Sequence, residues 1–325
     1  MCFYYTGEIK GKTMSLLHRI IFHVLMKNRP FYDPKSPKDY EAARTSEIKA
    51  TARIRTPANV TVREGDLGGV PAQWISGKDN REDGIALYIH GGGFVTGSST
   101  ARKGFTFFVA GKLGLNVVSI DYRLAPEHPF PQGAEDCFSA YSALLSHYTA
   151  EKIVLLGESA GGNLVLSLLL QIKEKNYPLP AAVFALSPTV QYDRVLDSYR
   201  DNLSTDCIVA NLSDEVCAVY LRSRDKKVIK NPVAAPYYGD FSGRTPIELW
   251  VSDSEVLRDD SYILFEKLKE QQVPAKLYVR SGMMHTWLVI PEFPESKKDL
   301  KILGEEMHLA LDHAFRPSED PIRLG

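Results

Sequence analysis

The sequence contains little cysteine, and its cysteines are scattered. Four occur among 325 residues, Cys2, Cys137, Cys207 and Cys217, and none of them forms a C-x-x-C pair. Neither a disulfide framework nor a zinc site is therefore predicted. Free thiols are typical of a reducing compartment, and we accordingly expect a cytoplasmic protein.

The sequence also lacks a charge excess of either sign and a long apolar stretch. Its 39 lysines and arginines face 40 aspartates and glutamates, a formal net charge of −1, so no nucleic-acid partner is expected. An apolar stretch near the start, residues 16–26, is interrupted by His18, Arg19 and His23 and is too short to span a bilayer. We predict an amphipathic helix there and no stable membrane insertion.

Short apolar runs alternate with longer amphipathic stretches along most of the chain. This alternation predicts an α/β protein with a parallel sheet flanked by helices. The predicted core strands are residues 85–89, 117–120, 153–156, 182–186, 247–251 and 276–279. The predicted helices are residues 102–113, 134–147, 160–175, 257–271 and 297–314. Ahead of them, strands at 59–63 and 70–76 with a turn at 64–69 predict a hairpin.

One internal segment interrupts this alternation. Between residues 187 and 245 no strong strand run occurs, and the only predicted element is a short helix at 216–221. Long insertions into compact domains often cover a binding site. We therefore predict a cap insertion at about 188–240.

The N-terminal segment also precedes the sheet without joining it. It contains the amphipathic helix at 16–26 and a second predicted helix, which starts at residues 36–39 and ends in the late forties. We predict that residues 1–50 supply N-terminal cap helices and that residues 51–325 form the α/β domain.

The first motif with chemical meaning is G-E-S-A-G-G at residues 157–162, which follows a predicted strand and opens a predicted helix. A serine at such a sharp turn is strained, and glycines on both sides remove side chains that would clash. The pattern G-x-S-x-G alone is a weak signal. In this strand–turn–helix context it predicts that Ser159 is a nucleophile exposed above the sheet.

The second motif is H-G-G-G-F at residues 90–94, directly after another predicted strand. Consecutive glycines let the main chain approach a ligand, so that its N–H groups can bind the negative charge of a tetrahedral intermediate. We predict an oxyanion hole formed by Ala160, which follows the nucleophile, and by two of Gly91, Gly92 and Gly93. A phosphate loop is not predicted, because the pattern G-x-x-x-x-G-K-[ST] is absent.

A serine nucleophile needs a base, and the base needs an acid to orient it. His285 follows the last predicted strand, so we expect it at the carboxyl edge of the sheet, on the same side as Ser159. Asp253, Glu255 and Asp259 all follow the preceding strand, and their spacing alone does not choose among them. The resulting order of serine, acid and histidine is that of α/β-hydrolases.

With these motifs, the sequence resembles the hormone-sensitive-lipase-like branch of the α/β-hydrolases, the bacterial family IV esterases. Besides H-G-G-G and G-x-S-A-G-G, the stretch D-Y-R-L-A-P-E-H-P-F-P at residues 121–131 is similar to a signature of that branch. The similarity extends over residues 85–287. It implies an α/β-hydrolase fold, with a mostly parallel sheet flanked by helices and a helical cap.

The resemblance also implies which acid orients the histidine. The family usually carries D-P-L-R-D after the seventh strand, and residues 255–259 read E-V-L-R-D here. Glu255 thus takes the position of the acid, with Asp253 as the alternative. The resemblance implies short- to medium-chain acyl esters as small-molecule substrates and an acyl-enzyme intermediate. No metal and no organic cofactor is expected.

Three aromatic residues, Phe94, Tyr192 and Trp287, are tentative substrate-binding residues, although each could equally belong to the core. A homodimer could form through an edge of the sheet. Two alternative functions are open: an amidase or deacetylase acting on small aryl or N-acetyl substrates, and a non-catalytic small-ligand receptor on the same fold. The presence of His285 argues against the receptor, because similar plant gibberellin receptors have lost that histidine.

Overall fold

A single mixed sheet forms the centre of the structure, a computed structural model that describes residues 14–27, 33, 35, 39–207, 211–243 and 245–325. In those residues the strands are β1 Val60–Leu67, β2 Val70–Gly77, β3 Ile85–Ile89, β4 Asn116–Ile120, β5 Ile153–Glu158, β6 Ala182–Leu186, β7 Ile247–Ser252, β8 Ala275–Arg280 and β9 Ile322–Leu324. Their order is β1-β2-β4-β3-β5-β6-β7-β8-β9. β2 pairs antiparallel with β1 and β4, and all other pairs are parallel, as predicted.

The central strands have no solvent-exposed side. Every residue of β3, β5, β6, β7 and β8 is buried, which explains why their sequences are mostly apolar. Ile89 pairs with Gly157, and Glu158 pairs with Leu186. The carboxyl ends of these strands therefore lie at one level, and the loops that follow them meet at one edge of the sheet.

Helices cover both faces of the sheet. The α-helices of the described residues are α1 Leu16–Lys27, α2 Tyr40–Thr51, α3 Lys103–Lys112, α4 Gln132–Leu144, α5 Ala160–Glu174, α6 Ser198–Asp201, α7 Leu212–Glu215, α8 Lys226–Ile229, α9 Arg258–Glu270 and α10 Pro294–Leu311. Buried residues of α4, α5 and α9 share one core with one face of the sheet. Those of α3 and α10 share a second core with the opposite face. The fold is thus a three-layer α/β/α arrangement.

The hairpin differs from its prediction at the turn. β1 continues to Leu67, and the turn is only Gly68-Gly69, both with positive φ (66° and 84°). Residues 64–66, predicted as part of the turn, pair with β2 but are exposed. Glu64, Gly65 and Asp66 have low strand propensity, yet they are tolerated because an edge strand faces solvent.

The N-terminal helices and the insertion lie beside the sheet. α1 spans the predicted amphipathic segment, and α2 begins after Asp39, whose side chain accepts the Ala42 N–H at 2.8 Å. The earlier part of the predicted helix start, residues 36–38, lies outside the described residues. In the insertion a π-helical segment, Val216–Tyr220, continues α7. None of the described helices combines the length and apolar character that a bilayer crossing requires.

Candidate active site

Ser159 alone forms the turn between β5 and α5. Its φ of 56° and ψ of −117° lie outside the usual regions for a side-chain-bearing residue. The turn is tight: a Cβ on Gly157 would lie 2.4 Å from the Gly161 oxygen, and a Cβ on Gly161 would lie 2.0 Å from the Ile89 oxygen. Both flanking glycines are therefore required sterically, and the strain is concentrated at the serine.

Three loops bring Ser159, His285 and Glu255 into one hydrogen-bonded chain. Ser159 Oγ lies 2.9 Å from His285 Nε2, and His285 Nδ1 lies 2.6 Å from Glu255 Oε2. The carboxylate can only accept, so it selects the Nδ1–H tautomer and leaves Nε2 to accept from the serine. The residues follow β5, β8 and β7 respectively, at the carboxyl edge of the sheet.

The carboxylate of Glu255 is fully buried and fixed on its other side. Glu255 Oε1 accepts the Ser252 N–H at 2.6 Å and the Ser187 hydroxyl at 2.9 Å. Asp253 lies elsewhere and accepts the Gly282 N–H at 2.9 Å. Asp259, in the first turn of α9, accepts the Ser198 N–H. Of the three carboxylates that follow β7, only Glu255 has a hydrogen bond to His285 in the described structure.

The electrostatic setting of His285 favours its protonated form. Burial by itself lowers the pKa of an imidazole, but the hydrogen bond and charge of Glu255 outweigh it, with smaller contributions from Asp206 and Glu158. The pKa of His285 is therefore raised above its ordinary value. A histidine in this setting is a better acceptor for the proton of Ser159.

The glycine-rich loop after β3 is fixed by Glu158. The Gly91 N–H donates to Glu158 Oε1 at 2.7 Å, so this donor is already engaged. The described residues provide no acceptor for the N–H groups of Gly92 and Gly93, which have φ values of 113° and 63°. Of the three predicted glycine donors, Gly92 and Gly93 are the pair still available to a ligand.

Glu158 connects this loop to the N-terminal helices. Its carboxylate also accepts the Tyr88 hydroxyl at 2.6 Å and Arg102 Nε at 2.8 Å. Arg102 in turn lies 3.7 Å from Glu47 of α2, and Glu47 accepts the hydroxyl of Thr96 at 2.9 Å. The sequence indicated Glu158 only as a neighbour of Ser159. Tyr88 and Arg102 carried no motif.

His90, the first residue of H-G-G-G-F, has a structural setting. Burial lowers the pKa of His90 to about 3, so the ring is neutral. Its Nδ1 donates to the Gly91 oxygen at 2.8 Å, and the ring stacks on Tyr122 with centroids 4.5 Å apart. The Tyr122 hydroxyl also donates to the His90 oxygen at 3.0 Å. The D-Y-R-L stretch thus stabilises the start of the glycine loop through the contacts of Tyr122 with His90.

A cavity of about 330 Å³ opens above Ser159. Its lining comes from the glycine loop, the Ser159 and His285 turns, α2 and the insertion: Tyr40, Ala43, Glu47, Gly91, Gly92, Gly93, Val95, Thr96, Arg102, Glu158, Ser159, Cys207, Leu212, Glu215, His285 and Thr286. The Tyr40 hydroxyl donates to Glu215 at 3.0 Å and joins the two segments across the cavity.

The three aromatic residues suggested for substrate binding do not line this cavity. Phe94 stacks on Tyr220 with centroids 3.9 Å apart, and the Tyr192 hydroxyl accepts from Asn163 at 3.1 Å. Trp287 is fully buried and donates to Asp299 at 2.9 Å. All three pack in the core, because aromatic residues near a site are recruited as readily for packing as for ligand contact.

Asp206, in the insertion, is a fully buried carboxylate that the sequence did not indicate. Its side chain comes within 4.8 Å of the ligating atoms of Glu255 and His285, a spacing that would suit a cation. Yet Oδ1 accepts the Cys207 N–H and Oδ2 accepts the Val256 N–H, both at 2.7 Å. His285 Nδ1 is engaged with Glu255. With these atoms already hydrogen-bonded, the donor set does not fit a metal.

Comparisons with known proteins identify the fold and the chemistry. Residues 86–289 match the family model described as alpha/beta hydrolase fold. An esterase of Acinetobacter venetianus is 30% identical over 77% of this chain and 83% of its own. A carboxylesterase/phospholipase of Mycobacterium tuberculosis is 30% identical over 92% and 81%. A crystal structure of an esterase from the bacterial hormone-sensitive lipase family, 30% identical, superposes with a TM-score of 0.82 over 92% of this chain and 99% of that one. The chain therefore belongs to the α/β-hydrolase family, among its hormone-sensitive-lipase-like esterases, and is a serine hydrolase of carboxylic esters.

Proposed function

We propose that the chain hydrolyses short- to medium-chain acyl esters through a triad of Ser159, His285 and Glu255. The observation that carries this proposal is the continuous hydrogen-bond chain from Ser159 Oγ to His285 (2.9 Å) and on to Glu255 (2.6 Å). Hydrogen bonds in this order give the serine hydroxyl a base that removes its proton as it attacks a carbonyl carbon.

In the proposed mechanism, Ser159 Oγ forms a bond to the ester carbonyl carbon while His285 Nε2 takes its proton. The oxyanion is bound by the N–H groups of Gly92, Gly93 and Ala160. The tetrahedral intermediate collapses, the alcohol leaves with the proton from His285, and an acyl-serine remains. Water, deprotonated by His285, attacks the carbonyl carbon of the acyl-serine. The bond from that carbon to Ser159 Oγ then breaks, His285 returns the proton to Oγ, and the carboxylic acid is released. Glu255 orients the imidazole and stabilises its positive form.

The substrate range follows from the cavity and from a proposed cap. α2 and the insertion at about 188–240 contribute Tyr40, Cys207, Leu212 and Glu215 to the lining, which supports their assignment as a cap over the site. A volume of about 330 Å³ is at the small end for ligand sites and suits a short or medium acyl chain.

The test is turnover of p-nitrophenyl esters of increasing acyl length by the full chain. We expect Ser159→Ala to abolish turnover, and Glu255→Ala to lower kcat far more than Asp253→Ala, which serves as the matched control. Undiminished turnover by Ser159→Ala would exclude Ser159 as the nucleophile. Equal losses in the two acid variants would exclude the assignment of Glu255.

A matched pair of aryl ester and aryl amide substrates separates the esterase from an amidase. We expect the ester to react faster. A higher kcat/KM on the amide would replace the proposed substrate class.

We further propose a cytoplasmic location, and the free thiols Cys137 and Cys217, both buried, support it. Fractionation of the native host would test it. A homodimer through the β8–β9 edge of the sheet also remains a proposal, and light scattering of the purified chain decides it.

A further inference from the structure

The loop that carries Glu255 is held by one segment of the insertion. Residues 198–206, here named the clasp, are hydrogen-bonded to residues 253–256. The Ser198 hydroxyl donates to the Val256 oxygen at 2.6 Å, and the Thr205 hydroxyl donates to the Ser254 oxygen at 2.7 Å. The clasp therefore binds main-chain oxygens that the sheet cannot reach.

Asn202 provides the central contact of the clasp. Its Nδ2 donates to the Asp253 oxygen at 3.0 Å and to the Glu255 oxygen at 2.8 Å. Together with Ser198 and Thr205, this side chain engages every carbonyl oxygen of residues 253–256. The acid loop thus takes its shape from a segment some fifty residues earlier in the chain.

Asp206, the last residue of the clasp, extends these contacts to the base. Its Oδ2 accepts the Val256 N–H at 2.7 Å, and its Oδ1 accepts the His285 N–H at 3.3 Å. One carboxylate therefore accepts hydrogen bonds from two main-chain N–H groups, that of Val256, which follows Glu255, and that of His285. It also brings a second negative charge to within 4.8 Å of the imidazole nitrogen.

We propose that Asp206 is a positioning residue for the triad: it fixes the Glu255 loop and the His285 loop relative to each other and stabilises the charged imidazolium. This inference rests on the proposed function, because it acts through Glu255 and His285. It gives the Asp206 side chain a role in positioning the triad, while other residues of the insertion form part of the cavity wall.

Other groups also face His285, and the test must allow for them. Glu255 lies on Nδ1, Glu158 acts from the end of β5, and His18 of α1 accepts the Met284 N–H through Nε2 at 3.3 Å. A change at residue 206 leaves the charges of these groups in place, and Asn202→Ala loosens the Glu255 loop without removing a charge. A shift in the titration of His285 that exceeds the shift in Asn202→Ala therefore reports on the charge of Asp206.

The test compares Asp206→Asn with Asn202→Ala and with a control, Asp201→Asn, at an exposed position of the same segment. The readouts are kcat, KM and the pH profile of kcat/KM on p-nitrophenyl acetate. We expect Asp206→Asn to lower kcat by about tenfold or more with KM changed less than about twofold. Loss of the negative charge should lower the pKa that governs the acidic limb of the kcat/KM profile by about one pH unit.

Asn202→Ala should lower kcat without moving the acidic limb, since it loosens the loop but keeps the charge. Asp201→Asn should leave all readouts unchanged.

If Asp206→Asn is too unstable to isolate, Asp206→Ser, which keeps one hydroxyl acceptor, gives the same readouts. Wild-type kcat, or a reduced kcat with an unmoved acidic limb, would overturn the proposal. Failure of the proposed function is recognised separately, by turnover that survives Ser159→Ala.

Discussion

At the scale of single residues, His285 sets the pH range of the proposed reaction. The base must be neutral to accept the serine proton, and its pKa is raised above the ordinary 6.5 because Glu255 outweighs the effect of burial. Activity should therefore fall as the pH drops through this raised pKa. The acidic limb of kcat/KM reports it directly.

Glu255→Gln should move that limb to lower pH and reduce kcat by roughly a hundredfold or more, because the amide neither stabilises the imidazolium nor fixes the tautomer. The measurement is a pH profile of kcat/KM on p-nitrophenyl acetate for both proteins. An acidic limb that stays at the same pH, or moves to higher pH, would show that Glu255 is not the group that raises the pKa of His285.

Glu158 provides a second prediction at this scale. Glu158→Gln removes the ion pair with Arg102 and weakens the hold on the Gly91 N–H. Because the oxyanion donors matter most in the transition state, we expect kcat to fall about tenfold or more while KM changes little. Glu41→Gln, at an exposed position, is the control. A rise in KM at constant kcat would instead indicate a role in substrate binding.

The sequence was informative where chemistry depends on local sterics. The glycines around Ser159, and Gly91 and Gly92 after β3, are required by close main-chain approaches, and Gly93 is favoured by its positive φ of 63°. Such requirements leave a motif. Asp206 left none, because its role depends on how an irregular segment crosses the molecule. The catalytic roles themselves remain predictions until the variants are measured.

At the scale of elements, the sequence predicted the six core strands closely, because a strand covered on both faces is mostly apolar, although β7 and β8 also bury Glu248, Lys276 and Arg280. It did not predict β9, Ile322–Leu324, which pairs with only Tyr278–Arg280 of β8. A three-residue edge strand carries too few residues for a periodic pattern. The insertion was predicted as a break in the pattern with one short helix at 216–221, and a helical segment does occupy Val216–Tyr220. The other short helices of the insertion were not predicted.

Helix α2 allows a prediction about how an element that contributes no triad residue influences the reaction. Arg44 donates to the Val95 oxygen through Nε and to the Ala125 oxygen through Nη2, both at 2.8 Å. It thereby ties the glycine loop to the following loop. Arg44→Ala should lower kcat several-fold and speed amide exchange in residues 91–97, because two main-chain oxygens lose their donor.

Lys49→Ala, at an exposed position of the same helix, is the control for this experiment. Both variants remove one positive charge, and Arg44→Ala in addition removes the hydrogen bonds to the Val95 and Ala125 oxygens and the ion pair with Glu127. Equal exchange rates in residues 91–97 for the two variants would contradict a clamping role for α2.

At the scale of the whole molecule, one buried carboxylate links stability to pH. Asp260 of α9 accepts the Val190 N–H at 2.9 Å and the Tyr199 hydroxyl at 2.7 Å. Burial raises the pKa of Asp260 to about 7, against 3.8 ordinarily. The unfolded chain therefore loses this proton at lower pH than the folded chain does. Folding stability should fall as the pH rises from about 4 to about 7, by up to about 4 kcal/mol.

Asp260→Asn removes this titration, so its Tm relative to wild type should rise between pH 5 and pH 7 and then level off. Thermal unfolding at several pH values measures the difference, and Asp79→Asn, at an exposed turn, is the control. Parallel Tm curves for wild type and Asp260→Asn would show that Asp260 titrates normally in the folded protein.

The clasp also determines which crossover points are suitable when segments of this chain are exchanged with those of a related esterase to make a chimaera. An exchange of insertions whose first crossover lies before Ser198 would join the acid loop of one parent to the clasp of another. A crossover after Asp206 would keep both from the same parent and still replace the cavity wall contributed by Leu212 and Glu215. Libraries that seek new substrate ranges should therefore place their breakpoint on the far side of Asp206.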